Sequence, residues 1–435
     1  MDVDRRTFLA AASALAVSAS ISARSPAGTS FPKGFLWGAA TAGHQVEGNN
    51  VSSDCWLLEN TKPSIFIEKS ADATNSFELW PTDLDLVRDL GLNTYRFSLE
   101  WSRIEPEPGL FSIAMLDHYK AMIEGCRARG ITPFVTFNHA TTPRWFAAAG
   151  GWTSPSSSDL FARYCERAAR HLGESIGYAA TLNEPDGPKL TRGLMPRFML
   201  DAQRKMLAAA ARACQSEKFV TPLSYNPEDI DQIVGNLLKA HKAGKAAIKA
   251  AHGNLPVGLT LALPDDEPAG DGSIRDARRA EVYGEWLQAA KEDDFIGVQN
   301  YDRVLWGPQG MAPPPPGSKV SPMGGEIYAP SLAAAVKYAH QVTRVPVIVT
   351  EHGVATDDDT LRAALIPAAL TELRNAIQDG VPVKGYIHWS LMDNFEWMLG
   401  YKAHYGLCSV DRTTFKRTPK PSAAVFGAIA KRNSI

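Results

Sequence analysis

The sequence has little of several features that mark large classes of protein. Its 435 residues include only five cysteines, an odd number, and no C-x-x-C pair. This spacing predicts neither a disulfide framework nor a zinc site, and we expect buried free thiols. Basic residues are not in excess, with 45 Lys and Arg against 47 Asp and Glu. Without a block of basic residues, a nucleic acid is not expected as a partner.

Long apolar runs and cofactor motifs are missing as well. The apolar run at residues 7–19 is shorter than the roughly 20 residues that cross a bilayer, so no membrane span is expected. The glycines at Gly34 and Gly38 do not form the phosphate-binding turn of an open dinucleotide-binding sheet. No H-E-x-x-H or comparable ligand spacing occurs, so we expect neither a metal nor a cofactor.

The first 23 residues have the order of an export signal. Arg5 and Arg6 precede the apolar run, and small residues follow at Ala19 and Ala23, where a signal peptidase could cut. This stretch resembles a twin-arginine signal and predicts an exported, periplasmic protein. No membrane-spanning segment is expected in the mature protein. An N-terminal helix with a chance pair of arginines is the alternative.

From residue 31 onward, short apolar runs rich in β-formers alternate with longer amphipathic stretches. Eight strands are predicted, at residues 35–40, 94–99, 132–137, 178–182, 257–261, 295–301, 345–350 and 383–389. Helical patterns are predicted at residues 83–90, 113–129, 159–172, 233–251, 274–290, 332–341, 361–378 and 423–431. The count predicts an α/β fold with a single (β/α)8 barrel over residues 31–435. The proline-rich stretch at 311–317 is expected to be a long loop after the sixth strand.

In such a barrel, functional side chains come from the carboxyl ends of the strands. Two carboxylates are prominent there: Glu184 follows the fourth strand and Glu351 follows the seventh. A pair of carboxyl groups facing one ligand is what cleavage of a glycosidic bond requires, because one donates a proton and the other faces the developing positive charge.

Side chains suited to a sugar occur near the same ends. Aromatic rings can cover the C–H face of a sugar, and the candidates are Trp37, Trp56, Trp145, Trp389, Trp397 and Tyr405. Polar side chains can hold its hydroxyls, and the candidates are Gln45, His139, Asn183 and Glu396.

Six segments, in order along the chain, resemble glycoside hydrolase family 1, the β-glucosidase family. They are residues 31–48 (FPKGFLWGAATAGHQVEG), 90–104 (LGLNTYRFSLEWSRI), 181–185 (TLNEP), 349–353 (VTEHG), 388–397 (HWSLMDNFEW) and 416–422 (KRTPKPS). The resemblance covers nearly the whole chain after residue 31.

The resemblance implies a retaining exo-β-glycosidase. Glu184 would be the acid/base and Glu351 the nucleophile, with Arg96 and Tyr301 orienting Glu351. The implied substrate-binding residues are Gln45, His139, Asn183, Gln299, Trp389, Glu396, Trp397 and Tyr405. The expected substrates are terminal β-glucosides or β-galactosides. Glu396 favours a neutral sugar, because a carboxylate there would repel a phosphate group.

Three positions depart from the family's usual motifs. His352 replaces the asparagine after the nucleophile, Gln299 replaces an asparagine of the sixth strand, and Ala140 replaces the aromatic residue after the sugar-binding histidine. They alter the pocket walls and leave the exact sugar and aglycone open. A transglycosidase that uses a sugar or alcohol acceptor remains an alternative, as does a non-catalytic sugar-binding barrel. The oligomeric state is not predicted.

Overall fold

The computed structural model describes residues 28–435, so the export signal predicted at 1–23 lies outside the described residues. Eight parallel strands form a closed barrel in which each strand pairs with its neighbour along the chain and the last pairs with the first. They are β1 Leu36–Ala40, β2 Thr94–Ser98, β3 Thr132–Asn138, β4 Tyr178–Asn183, β5 Val257–Ala262, β6 Phe295–Asn300, β7 Val347–His352 and β8 Val383–Trp389. All eight strands were predicted, to within two residues at either end.

Nine longer helices accompany the described strands. They are α1 Ser76–Leu90, α2 Ile113–Ala128, α3 Ser157–Leu172, α4 Arg197–Ala213, α5 Ile230–Ala251, α6 Arg275–Ala290, α7 Ser331–Thr343, α8 Asp359–Gln378 and α9 Pro421–Arg432. Sequence patterning predicts eight of these and misses α4. None of the helices in residues 28–435 is long and apolar enough to cross a membrane.

Two packed layers explain why the strands are buried along nearly their whole length. Inside the barrel, Phe134, Phe295 and Ile348 belong to one buried cluster. Outside it, a larger cluster joins the other strand faces to the surrounding helices. A strand buried on both faces reads as a continuous apolar run, which is why these segments could be recognised.

Shorter elements connect the barrel. The short helices are Gly43–Val46, Asp54–Asn60, Trp101–Ile104, Arg144–Ala148 and Gly187–Leu190, with 3-10 turns at Gly151–Thr153, Gly173–Ser175, Pro227–Asp229 and Trp397–Leu399. Small sheets are formed by Asp265–Pro268, Arg303–Gly307 and Gly310–Ala312, and by Cys408–Val410 and Arg417–Pro419. The loop predicted at residues 311–317 therefore begins within the short strand Gly310–Ala312. The five cysteines are free thiols, and all except the half-buried Cys214 are buried.

Candidate active site

Glu351, on β7, is held by three donors, two on other strands and one directly after β6. Arg96 on β2 places Nη1 2.5 Å from Glu351 Oε1, and Gln299 Nε2 on β6 donates to the same oxygen at 3.0 Å. The phenol of Tyr301 donates to the other oxygen, Oε2. Because β6 and β7 are adjacent, Gln299 is the register partner of Glu351. Burial raises the pKa of Glu351, whereas Arg96 and the Tyr301 hydrogen bond lower it.

Glu184 directly follows β4 and has a different environment. Its backbone N–H donates to the Thr260 carbonyl at 2.9 Å, and its φ of 45° is in the left-handed region. Its carboxyl receives no side-chain hydrogen bond from residues 28–435. Burial raises the pKa of Glu184 well above its usual range, and the negative charge of Glu351 raises it further. The charge of Glu351 therefore acts on Glu184, and the pKa of Glu184 is raised more strongly than that of Glu351.

Asn183, the residue before Glu184, joins the donors of Glu351 to His139. Its Oδ1 accepts from Arg96 Nη2 and from Gln299 Nε2, both at 2.6 Å. Its amide Nδ2 lies 3.2 Å from His139 Nε2. One hydrogen-bond network therefore connects the carboxylate of Glu351 to His139 at the end of β3.

Aromatic and polar side chains form the adjoining wall. The ring of His139 stacks on Trp389 at a centroid distance of 5.7 Å and on Trp397 at 6.2 Å. Glu396 accepts from Gln45 Nε2 at 3.3 Å and from Trp389 Nε1 at 3.4 Å. Burial raises the pKa of Glu396 to about 8. These five residues, which come from distant parts of the sequence, are therefore brought together beside the carboxyl pair.

Several buried polar atoms in this wall remain available to a ligand. Among residues 28–435, Gln45 Oε1, His139 Nδ1 and Gln299 Oε1 are buried without a hydrogen-bond partner. A buried polar group that lacks a partner costs free energy, so such groups are rare in folded proteins. Three of them around one site are typical of a surface that binds a molecule rich in hydroxyl groups.

The comparison with known proteins agrees with this arrangement. The sequence profile of Glycosyl hydrolase family 1 matches residues 27–304 and 317–435. The chain belongs to glycosyl hydrolase family 1. It is 30% identical to β-glucosidase A of Thermotoga maritima, over 93% of this chain and 98% of that protein. It is 28% identical to a β-galactosidase of Pyrococcus woesei, over 93% and 98% of the two chains.

Solved structures support the same assignment. A structure described as the apo form of β-glucosidase 1317 has a TM-score of 0.88 and 41% identity, over 92% of this chain and 98% of that one. The (β/α)8 fold predicted from the sequence is thus confirmed, and the protein is a glycoside hydrolase.

The three departures from the family motifs have distinct local effects. His352 Nδ1 lies 2.8 Å from the hydroxyl of Tyr386, away from the carboxyl pair, and burial lowers its pKa to about 4. Gln299 is long enough to reach both Glu351 and Asn183. Ala140, with a φ of 62°, puts only a methyl group beside the sugar-binding wall.

Some candidates do not belong to the site. Trp37 is at the start of β1, where its ring packs on Phe31 and Phe426 and its indole N–H donates to Asn433. Because that end of the strand faces away from the carboxyl ends, the expectation that Trp37 contacts the ligand is wrong. Trp145 donates to the Glu105 carbonyl and packs against the core.

One residue of the site was missed. Asn394 Oδ1 accepts from Gln45 Nε2 at 3.1 Å, and its own amide donates to Ser390 and to the Met392 carbonyl. It therefore fixes the Gln45 side chain. Its position two residues before Glu396, in the same motif, was the available signal.

Two cavities meet at Glu184. One, of about 370 Å³, is lined on its inner side by His139, Asn183 and Trp397. The other, of about 460 Å³, is lined by Gln299, Tyr301 and Tyr405, whose ring lies edge-on to Tyr301 at 5.7 Å. Glu184, Gly187 and Thr191 border both.

Three buried side chains could hold a metal ion. The ligand atoms of His44, Cys55 and Glu59 lie within 4.8 Å of one another, with His44 Nε2 3.9 Å from Glu59 Oε2. Glu59 already accepts from the backbone and hydroxyl of Ser70. The His44 ring stacks on Trp397 at 6.0 Å, so this cluster supports the sugar-binding wall from behind.

Proposed function

We propose that the protein is a retaining exo-β-glycosidase that hydrolyses terminal β-D-glucosides and β-D-galactosides through a covalent glycosyl-enzyme. The observation that carries this proposal is the contrast between the carboxyl group of Glu351, which is buried, and that of Glu184, which is half-buried. Glu351 is bound by Arg96, Gln299 and Tyr301, which favour its ionised form. Among residues 28–435, no side chain donates a hydrogen bond to the Glu184 carboxyl; burial raises its pKa, and the charge of Glu351 raises it further.

In the first step, the Glu351 carboxylate attacks the anomeric carbon while Glu184 gives its proton to the leaving oxygen. Arg96 and Tyr301 keep the attacking oxygens in place. Once the ester has formed, Glu351 no longer carries a charge. The pKa of Glu184 then falls, because one of the causes that raised it has gone. Glu184 can therefore remove a proton from water in the second step.

The proposed glycone contacts follow from the polar wall. Gln45, His139, Asn183, Gln299 and Glu396 would hold the hydroxyl groups, and Trp389, Trp397 and Tyr405 would supply the apolar faces. The printed names of the relatives, a β-glucosidase and a β-galactosidase, support both sugars as substrates. An acceptor alcohol in place of water would give transglycosylation by the same first step.

Proton NMR of the reaction with a p-nitrophenyl β-glucoside tests this proposal. The first-formed sugar should be the β-anomer, because two displacements at one carbon restore its configuration. Appearance of the α-anomer first would overturn the retaining mechanism. The Glu351→Gln variant is the control, and a panel of p-nitrophenyl glycosides ranks glucose against galactose, fucose, mannose, xylose and glucuronic acid.

We also propose that residues 1–23 direct export to the periplasm through a twin-arginine pathway. The support is the order of Arg5-Arg6, the apolar run and the small residues. In a bacterial host, wild-type activity should appear in the periplasmic fraction, and a variant with both Arg5→Lys and Arg6→Lys should stay in the cytoplasm. Equal export of the two proteins would contradict the proposal.

A further inference from the structure

A glycoside with an unsubstituted sugar has one leaving group, but two cavities extend from Glu184 in this protein. The larger one continues from Tyr301 and Tyr405 to Trp306, Met311 and Met323, which belong to the loop region after β6. Both cavities border Glu184, which protonates the leaving oxygen, and a simple β-glycoside has one leaving group for the two. The smaller cavity, unlike the larger one, also borders His139, Ala140 and Asn183.

The smaller cavity begins at the residues that would hold the sugar itself. Asn183 and Glu351 are both within 3.0 Å of Gln299 Nε2, so the Asn183 amide lies beside the attacking carboxylate. A hydroxyl held by Asn183 would therefore be the one next to the reacting carbon, on carbon 2. His139, which is 3.2 Å from the Asn183 amide, would face the same hydroxyl or its neighbour on carbon 3.

Ala140 helps open the wall at this point. It lines the smaller cavity immediately after His139, at the position where the family usually has an aromatic residue. A methyl group leaves room that a large ring would occupy. Gly187, on the other side of Glu184, lines the cavity without any side chain.

Beyond this opening the cavity is mostly apolar. Its outer lining includes Pro188, Met195, Leu200, Leu223 and Met398. The volume of about 370 Å³ is within the range of about 300–1,000 Å³ typical of small-molecule sites. Hydroxyl-binding groups at the inner end and apolar groups at the outer end suit a sugar ring with an apolar substituent.

We propose that this protein binds and hydrolyses β-glycosides whose sugar ring carries an apolar group on the oxygen of carbon 2 or carbon 3, and that the cavity beyond Ala140 holds this group. The inference rests on the proposed glycosidase function and specifies its substrate class. Burial of the apolar group supplies the binding free energy, because the lining removes it from water.

Mono-O-benzyl ethers of p-nitrophenyl β-D-glucoside test the inference, since an ether does not migrate between hydroxyls. The unsubstituted glucoside and its 2-O-, 3-O- and 6-O-benzyl ethers are compared by kcat/KM. The wild type should hydrolyse the 2-O- or the 3-O-benzyl ether at least tenfold faster than the 6-O-benzyl ether. Hydrolysis of the unsubstituted glucoside with refusal of both the 2-O- and 3-O-ethers would overturn this inference alone. Failure on all four compounds would overturn the proposed function.

Variants locate the benzyl group. Leu200→Trp fills the outer cavity and should lower the ratio of kcat/KM for the preferred ether to that for the unsubstituted glucoside at least tenfold. Met195→Trp is a second filling variant should the first not fold. Phe198→Trp is the matched control on α4, because Phe198 is 73% exposed and does not line the cavity, and it should keep the wild-type ratio. An unchanged ratio in a folded filling variant would show that the group binds elsewhere.

Discussion

Removing the phenol of Tyr301 should change the pH dependence of the enzyme as well as its rate. The Tyr301 hydroxyl donates to Glu351 Oε2 and lowers the pKa of that carboxyl. A hydrogen bond to a charged group contributes about 1.5–3 kcal/mol. Its loss in Tyr301→Phe should therefore reduce kcat/KM by about 10- to 150-fold at neutral pH, since 1.4 kcal/mol corresponds to about tenfold.

The loss of this hydrogen bond also fixes the direction of the expected pKa change. Without the Tyr301 donor, the pKa of Glu351 should rise. Because Glu351 must be ionised to attack, the acidic limb of the kcat/KM profile should move to higher pH. The assay is kcat/KM for a p-nitrophenyl glycoside across the pH range in which the variant stays folded.

Tyr405→Phe is the matched control. Tyr405 lies beside Tyr301 in the same wall, but its hydroxyl has no hydrogen bond to Glu351 in the described structure. This variant can change KM, but its acidic limb should stay in place. If Tyr301→Phe also left the acidic limb in place, Tyr301 would not be tuning the nucleophile.

Other predictions follow from neighbouring groups. Glu184→Gln should lose about 10²- to 10⁴-fold in kcat with glycosides that have poor leaving groups. With dinitrophenyl glycosides, the rate of the first step should fall far less, and pre-steady-state release of dinitrophenolate measures that rate. The variant should also lose the basic limb of the pH profile, and an unchanged limb would mean that another group is the acid. Glu396→Gln should raise KM for neutral glycosides, and an unchanged KM for both glucoside and galactoside would remove Glu396 from the sugar site. His352→Asn should flatten the dependence of stability on pH: the folded pKa of about 4 lies below the ordinary 6.5, so the unfolded chain binds more protons as pH falls from 6.5 to 4. That difference costs the wild type about 3 kcal/mol of unfolding free energy at pH 4. The free energy of unfolding in urea should be measured for both proteins at pH 7 and pH 4, and an equal change with pH in the two would show that His352 is not the cause.

The barrel was predictable because its strands are short runs rich in apolar residues, buried on both faces, that alternate with longer amphipathic helices. Helix α4 was not, because its boundaries carry weak signals. It begins after Pro196 without a capping side chain, and it ends before Gln215, a non-glycine residue with a φ of 53°. Its buried side also packs outside the barrel core, against the region of Leu58.

The sequence predicts which residues belong to the candidate site better than it predicts how they contact one another. Motifs identify Glu184 and Glu351, but only the fold shows that Gln299 bridges Glu351 and Asn183. Trp37 was misassigned because β1 has only five residues, so a residue near its start is also close in sequence to its carboxyl end. In the structure, it pairs with Tyr386 near the opposite end of β1.

The most direct test of the central claim separates the two carboxyl groups by role. Glu351→Ala should be rescued by azide, which would attack the anomeric carbon from the vacated side and give the α-glycosyl azide by one inversion. Glu184→Ala, with a dinitrophenyl glycoside, should still form the glycosyl-enzyme, and azide should then release the β-glycosyl azide after two inversions. Opposite anomers from the two variants are the predicted result. The same anomer from both, or no rescue in either with an activated substrate, would contradict the assignment of Glu184 and Glu351.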